Sequence, residues 1–518
     1  MRALYNPALM SRADCGPDAL LHQTVADRLL AALRRDAGEG APQHQLVLGP
    51  RGSGKTVLLR VLGHLIEDDA ELAARWFPLT FPEAQYDVAR LADLWTNALD
   101  YLAVALLRRG HAAEAREVHD AVKALPVDDE EARAEEAFRL LLAESDALGR
   151  RFVLLVDNLD VVLDRLQSHQ WRVRDILSAE RRLLVIGASA RAIEATYRYE
   201  AAFYDFFRIY ELRPLPAAAV PRALGLLAAP DAKERVAAAV AAAPHRVRAV
   251  TSVIGTLPRA LELAADAIAA DPDAPASTVA AWVLDRLTPE LQARIDGLAP
   301  QSQQVAHALA TAWHPIRAAD LAARVRLATN AVSAQLTRLA REGVVDQVAY
   351  PPGTRLGYQL ADRMFAVWFL LRAGQPHRRR LLAAVDQLAA AFADAPPPPE
   401  HPLTIAADLV RLGRWPEARA MAQGALATAV LQAPEELAAT IAFFGAALAF
   451  DRTNDARELL DEVAFGGAWD LVAWALELAA LGGEDPLAKA APELREGIRA
   501  IARRVLSAPA AAAASDAV

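Results

Sequence analysis

The chain has 518 residues, 54% of them hydrophobic and 23% charged, which is enough apolar content for several packed cores and excludes a disordered chain. A formal charge of −9 removes any bulk attraction to nucleic acid or an anionic membrane and leaves only local basic faces to consider. The one cysteine, Cys15, excludes an internal disulfide, a cysteine-cluster zinc site and an iron–sulfur cluster, and fits a reducing, cytoplasmic compartment.

Met1 to Leu21 has no uninterrupted apolar core and carries Asp14 and Asp18, so no export or membrane segment is expected there. The first strand signal is Gln45–Leu48 (QLVL), which stops at Gly49, and a helical pattern follows from Val57 to Ile66. Phe77–Phe81 is a second strand. Helices fill Tyr86 to Arg150, with the acidic stretch Asp128–Glu136 as a turn and helix start. Phe152–Val156 (FVLLV) is apolar throughout, as in a parallel sheet covered on both faces. Leu183–Ile186 is a fourth strand and Ile209–Leu212 a fifth, ended by Pro214 and Pro216. Strands alternating with helices predict a three-layer α/β domain with a parallel sheet.

From Ala217 to Leu287 the pattern is helical and alanine-rich. Helices over Gln301–Trp313, Ile316–Val325 and Thr329–Arg341 then precede two alternating strands, Val344–Tyr350 and Leu356–Leu360, which is the order of a winged helix. The apolar run Met364–Leu371 reads as a core helix, and Arg378–Arg380 as a solvated helix face. The rest is helical to about Ser507. It includes the longest apolar run of the chain, Leu437–Phe450, which is too short to span a bilayer. Gly413–Arg419 and Asp451–Arg457 share acid-Ala-Arg triplets 38 residues apart, close to the period of tetratricopeptide-like helical hairpins.

The chemistry concentrates in Gly49-Pro50-Arg51-Gly52-Ser53-Gly54-Lys55-Thr56, which fits G-x-x-x-x-G-K-[ST]. Glycines let successive backbone N–H groups curl around a phosphate, and the following helix points its positive end at the same anion. Lys55, one of only four lysines, would reach the β- and γ-phosphates, and the Thr56 hydroxyl would ligate Mg²⁺. Asp157, at the end of the third strand, would hold the same Mg²⁺ directly or through water. No H-E-x-x-H or G-x-S-x-G is present, so neither a zinc protease nor a hydrolase elbow is suggested.

These residues resemble the AAA+ and STAND branch of P-loop ATPases (signal-transduction ATPases with numerous domains), and within it the clade related to origin-recognition initiators. The resemblance runs from Asn6 to Arg372: Walker A at Gly49–Thr56, Walker B at Val153–Asp157, sensor 1 at Leu183–Arg191 and the lid motif at Gly255–Arg259. It implies that Ser189 and Arg191 watch the γ-phosphate, that Pro258 lies near the base, and that Arg259 lies near the phosphates unless it pairs with Glu262 on its own helix. Arg191 could equally be a solvent-exposed helix-start residue. An arginine finger reaching a neighbouring subunit would precede the last strand, where Arg208 stands with Arg198 and Arg213 as competitors. Two positions depart from the family pattern. Asn158 replaces the usual Glu after the Walker B Asp and cannot take a proton, with Asp160 as one substitute, so hydrolysis would be slow and suited to a switch. Thr256 stands where the lid motif often has Gly.

The resulting division is a P-loop ATPase core over 1–215, a helical lid over 216–290, a winged helix over 291–373, TPR-like repeats over 374–507 and a disordered tail over 508–518. Two functions follow, with a binding-only pseudo-ATPase scaffold, motivated by Asn158, as a third reading. One is an ATP- and Mg²⁺-dependent switch or scaffold in signalling or defence, which assembles with nucleotide and binds a protein partner through its repeats. The alternative is a DNA-binding AAA+ ATPase in which Asn330, Thr337, Arg338 and Arg341 face a major groove and Arg355 touches a phosphate. Pro300 to Arg372 holds eight arginines against four acids. Packing of the winged helix as a purely structural module competes with DNA binding.

Overall fold

The structure, a computed structural model, describes residues 21–36, 40–81, 88–190, 201–350, 356–463, 469–481 and 485–515. Two units divide the chain: Met1–Leu215 with Leu257–Arg259, and Pro216–Thr256 with Ala260–Val518.

The first unit contains, in order, α1 (Gln23–Arg35), β1 (Gln45–Leu48), α2 (Lys55–Asp68), α3 (Ala70–Arg75), β2 (Trp76–Thr80), α4 (Leu91–Arg108), α5 (Ala112–Lys123), α6 (Glu130–Leu148), β3 (Arg151–Val156), α7 (Leu159–Arg165), α8 (Gln170–Ala179), β4 (Leu183–Ser189) and β5 (Arg208–Glu211). The sheet order is β2-β3-β4-β1-β5, all parallel. Alternate strand residues enter two different cores. Phe152, Leu154 and Val156 of β3 join Leu79, Trp95, Leu99 and Leu163 on one face. Val153 and Leu155 join Leu29, Leu33, Leu58 and Leu62 on the other. Both faces are therefore covered by helices, which is why the strands read as unbroken apolar runs. α1 has no counterpart in the sequence reading. Its Ala26, Leu29, Leu30 and Leu33 recur at helical spacing and are all buried.

Among its described residues the second unit is helical apart from one hairpin. It comprises α9 (Val220–Leu227), α10 (Lys233–Ala242), α11 (Pro244–Ile254), α12 (Pro258–Ala270, whose first two residues belong to the first unit), α13 (Ala276–Arg286), α14 (Thr288–Asp296), α15 (Pro300–Ala312), α16 (Ala318–Val325) and α17 (Thr329–Arg341). The antiparallel pair β6 (Val345–Ala349) and β7 (Leu356–Leu360) follows. Ile316, expected inside a helix, instead bridges Tyr358 of β7, because the branched Ile favours extended backbone. Then come α18 (Arg363–Arg372), α19 (Gln375–Ala393), α20 (Pro402–Arg411), α21 (Trp415–Thr428), α22 (Pro434–Ala449), α23 (Thr453–Val463), α24 (Asp470–Leu481), α25 (Asp485–Lys489) and α26 (Arg495–Ser515). The aromatic run of α18 is core, with Phe365 stacked on Trp368 at 5.9 Å. Of the basic run 378–380, Arg380 departs from the solvated-face expectation: its Nε donates to Asp470 Oδ2 at 2.7 Å. The tail expected to be disordered continues α26 as far as Ser515, since an alanine tract carries the highest helix propensity. Among the described residues no helix is long and apolar enough to cross a membrane.

The 38-residue sequence repeat corresponds to a repeated turn. Between α20 and α21, Gly413 has φ +73° and the Arg414 N–H bonds the Leu409 carbonyl at 2.9 Å. Between α22 and α23, Asp451 has φ +60° and the Arg452 N–H bonds the Ala447 carbonyl at 2.8 Å. Each turn pairs its basic residue with the acid three positions on, Arg414 with Glu417 and Arg452 with Asp455, and buries the alanine that follows. A third copy lies in the first unit, between α4 and α5. There Gly110 has φ +86°, the His111 N–H bonds Leu106 at 3.0 Å, His111 contacts Glu114, and Ala115 is buried. These are the hydrogen bonds of a left-handed helix C-terminus.

Candidate functional site

β1 and β3 flank β4, so the carboxyl ends of three adjacent strands meet at one edge of the sheet. Leu48 pairs with Ser189 and Val156 with Gly187, which brings Gly49, Ser189 and Asp157 together. The Gly49 N–H donates to the Ser189 carbonyl at 3.2 Å, tying the loop to the end of β4. Ser189 is fully buried.

The loop then curls. Ser53 N–H bonds the Pro50 carbonyl at 3.2 Å. Gly52 has φ +78° and Gly54, which caps α2, has φ +90°, both in the region glycine tolerates best. Gly52 has a second reason to be glycine: a Cβ there would lie 2.8 Å from Cβ of Arg259. Lys55 is 7% exposed, and its Nζ donates to the carbonyls of Gly49 at 2.7 Å and Pro50 at 3.0 Å. Pro50 and Arg51 are exposed at the rim. Thr56 Oγ1 donates to Asp157 Oδ2 at 2.5 Å, and the Asn158 N–H donates to the other carboxylate oxygen at 2.9 Å. Asp157 is 3% exposed. Asn158 itself is left-handed, φ 49°, where the chain turns from β3 into α7, and Asp160 is buried in the first turn of α7.

The lid motif also reaches the loop. The Arg259 N–H donates to the Gly52 carbonyl at 3.0 Å, and Pro258 Cγ lies 3.9 Å from the position a Gly54 Cβ would take. One contact was missed by sequence reasoning: His22 Nε2, just before α1, donates to the Ser53 carbonyl at 2.9 Å. Burial holds the His22 pKa below its usual value, partly offset by that bond. The amphipathic period of α1 was the available signal for its helix; nothing local signals the contact, which spans 31 residues. Residues 23–186 match the family model for an AAA ATPase domain.

Comparison with curated proteins found no match. Among solved structures, the Walker-type ATPase of Pyrococcus abyssi is similar at 14% identity and TM-score 0.44, covering 67% of this chain and 95% of that one. The Aeropyrum pernix ORC1 protein in complex with DNA gives 16% identity and TM-score 0.38 over 70% and 95% of the two chains. Drosophila ORC bound to DNA gives 18% and 0.36 over 68% and 95%.

The region matched by that family model carries a donor set that fits a nucleotide phosphate with Mg²⁺. Thr56 Oγ1 and Asp157 Oδ2 converge as hard oxygen donors beside the loop. Mg²⁺ is commonly held by one or two such oxygens plus substrate phosphates. No group of three or more His, Cys, Asp or Glu able to hold a metal occurs among the described residues. Of the other sequence-derived residues, Arg191, Arg198 and Arg355 lie outside the described residues. Arg208 opens β5 opposite Gln45, at the end of the strands away from the phosphate loop of its own domain, where it is exposed with its guanidinium 5.7 Å from the Tyr210 ring centre. In the second unit, Asn330, Thr337, Arg338 and Arg341 are all exposed on α17, opposite the buried Val332, Leu336 and Leu339. Arg338 is paired with Glu342 at 3.0 Å.

Proposed function

We propose that this chain binds Mg²⁺–ATP in its AAA ATPase domain, hydrolyses it slowly and uses the nucleotide state as a switch. The observation that carries the reading is the Arg259 N–H on the Gly52 carbonyl, beside the Thr56–Asp157 pair. The loop that would hold phosphate thereby bonds Arg259, which belongs with it to the first unit and opens α12. Asn158 supports slow turnover, since the residue directly after Asp157 is not a carboxylate that could orient water. In this reading Ser189 and Arg191 sense the γ-phosphate, Arg208 acts on a neighbouring copy, and the TPR-like hairpins α20–α23 bind a protein partner. Molar mass by light scattering, with ADP and then a non-hydrolysable ATP analogue plus Mg²⁺, tests it. Assembly with the analogue, lost in Lys55→Ala, is the expected result. A mass unchanged by either nucleotide overturns the assembly step.

The exposed row on α17 favours a second reading, a winged helix that binds DNA. Salt-dependent DNA binding abolished by Arg338→Ala with Arg341→Ala would select it.

A further inference from the structure

The phosphate loop has a mechanical weakness at Ser53. Glycines with positive φ stand on both sides of it, at 52 and 54, and glycine imposes little steric preference on the peptides it joins. The Ser53 N–H is pinned by the Pro50 carbonyl at 3.2 Å. The next peptide, Ser53 carbonyl with Gly54 N–H, has the sequence freedom to turn over. Its carbonyl is where His22 Nε2 sits, at 2.9 Å.

We propose that His22 is a positioning residue of the phosphate loop, holding the Ser53–Gly54 peptide so that the Gly54 N–H points to the phosphate side. In a planar trans peptide the C=O and N–H point in opposite directions, so fixing one fixes the other. Gly54 caps α2, and its N–H belongs to the positive end of that helix. A donor on the carbonyl also polarises the amide, which makes the N–H at its far end a stronger donor. The mount of His22 is rigid: α1 buries Ala26, Leu29 and Leu33 in the same core as Leu58, Leu59 and Leu62 of α2, so donor and loop ride on helices packed together. A carbonyl partner requires the proton on Nε2, so the neutral ring serves as a single fixed donor.

This inference rests on the reading that the loop binds nucleotide phosphates. Its test is the affinity of labelled ADP with Mg²⁺, and competition by inorganic triphosphate, for the full chain and for His22→Gln, His22→Asn and His22→Met. The Gln amide nitrogen reaches the Nε2 position; the Asn amide is one methylene short, and Met has no donor. Gln retains affinity within about twofold, while Asn and Met each lose about fivefold for ADP and triphosphate alike, the worth of one hydrogen bond. Thermal melting of each variant shows whether it is folded; should Met fail to fold, the Gln and Asn pair decides. Equal affinity in all variants overturns the proposal, and so does a loss for ADP without a loss for triphosphate, which would make His22 a contact of the nucleoside. A wild-type chain that binds neither ligand, like Lys55→Ala, would instead remove the nucleotide reading itself.

Discussion

His44 makes the first unit acid-sensitive in a way that can be calculated. It precedes β1, is 2% exposed, and stacks on Phe206 at 4.9 Å. Its Nδ1 accepts the Val185 N–H at 3.0 Å and its Nε2 faces the Leu177 carbonyl at 3.1 Å, so both ring nitrogens are committed to the neutral form. Burial lowers its pKa from 6.5 to about 4. The unfolded chain thus takes up a proton below pH 6.5 that the folded chain refuses until about pH 4. Stability is therefore unaffected by this group above pH 6.5 and falls as pH drops through that window. The gap is worth about 3 kcal/mol by pH 4, at roughly 1.4 kcal/mol per pH unit. His44→Gln removes the titration. Amide exchange in β1 and β4, measured at pH 7, 5.5 and 4.5, reads the first unit alone. The advantage of the wild-type over the variant shrinks by about 2 kcal/mol or more between pH 7 and 4.5. Parallel pH curves for the two proteins would refute the buried neutral imidazole.

Three further outcomes are expected. Thr56→Ala abolishes the Mg²⁺ dependence of ATP affinity, leaving the value that chelator produces in the wild-type, as read by titration calorimetry with and without EDTA. Gly187→Ala puts a Cβ against Leu159 Cδ2 and 3.0 Å from its Cβ, so the start of α7 shifts, the melting temperature drops, and Mg²⁺–ATP affinity falls with it. Arg363→Ala strands Glu493, which is 6% exposed and accepts from both Nε and Nη2 of Arg363 at 2.6 and 2.9 Å, and urea unfolding of the second unit loses about 3 kcal/mol.

What the sequence made legible was whatever is encoded locally. The strands of the sheet are apolar throughout because both faces are covered, and Phe152–Val156 needed no partner to be recognised. The loop was legible because its glycines, lysine and threonine are consecutive, and Asp157 because it terminates a strand. Contacts closed over distance were not legible. His22 meets Ser53 from another element, and Arg259 meets Gly52 from across two hundred residues. Ile316 was assigned to a helix because its partner Tyr358 lies beyond three intervening elements. The repeat at Gly110 carries the same Gly, Glu, Ala and Arg spacing as Gly413–Arg419, but it sits inside an α/β region, more than three hundred residues from the other two copies.

The strand order has a consequence during synthesis. β1 is the first strand among the described residues, yet its partners β4 and β5 lie more than a hundred residues downstream. At ribosomal rates of about 5–20 residues per second, this apolar segment waits on the order of ten seconds before either neighbour exists. The turn at Gly110, by contrast, joins two helices adjacent in the chain and can close as soon as they emerge. The nascent chain therefore acquires a helical hairpin well before its phosphate loop has a sheet to stand on, and Gln45–Leu48 is the segment most exposed to chaperone capture.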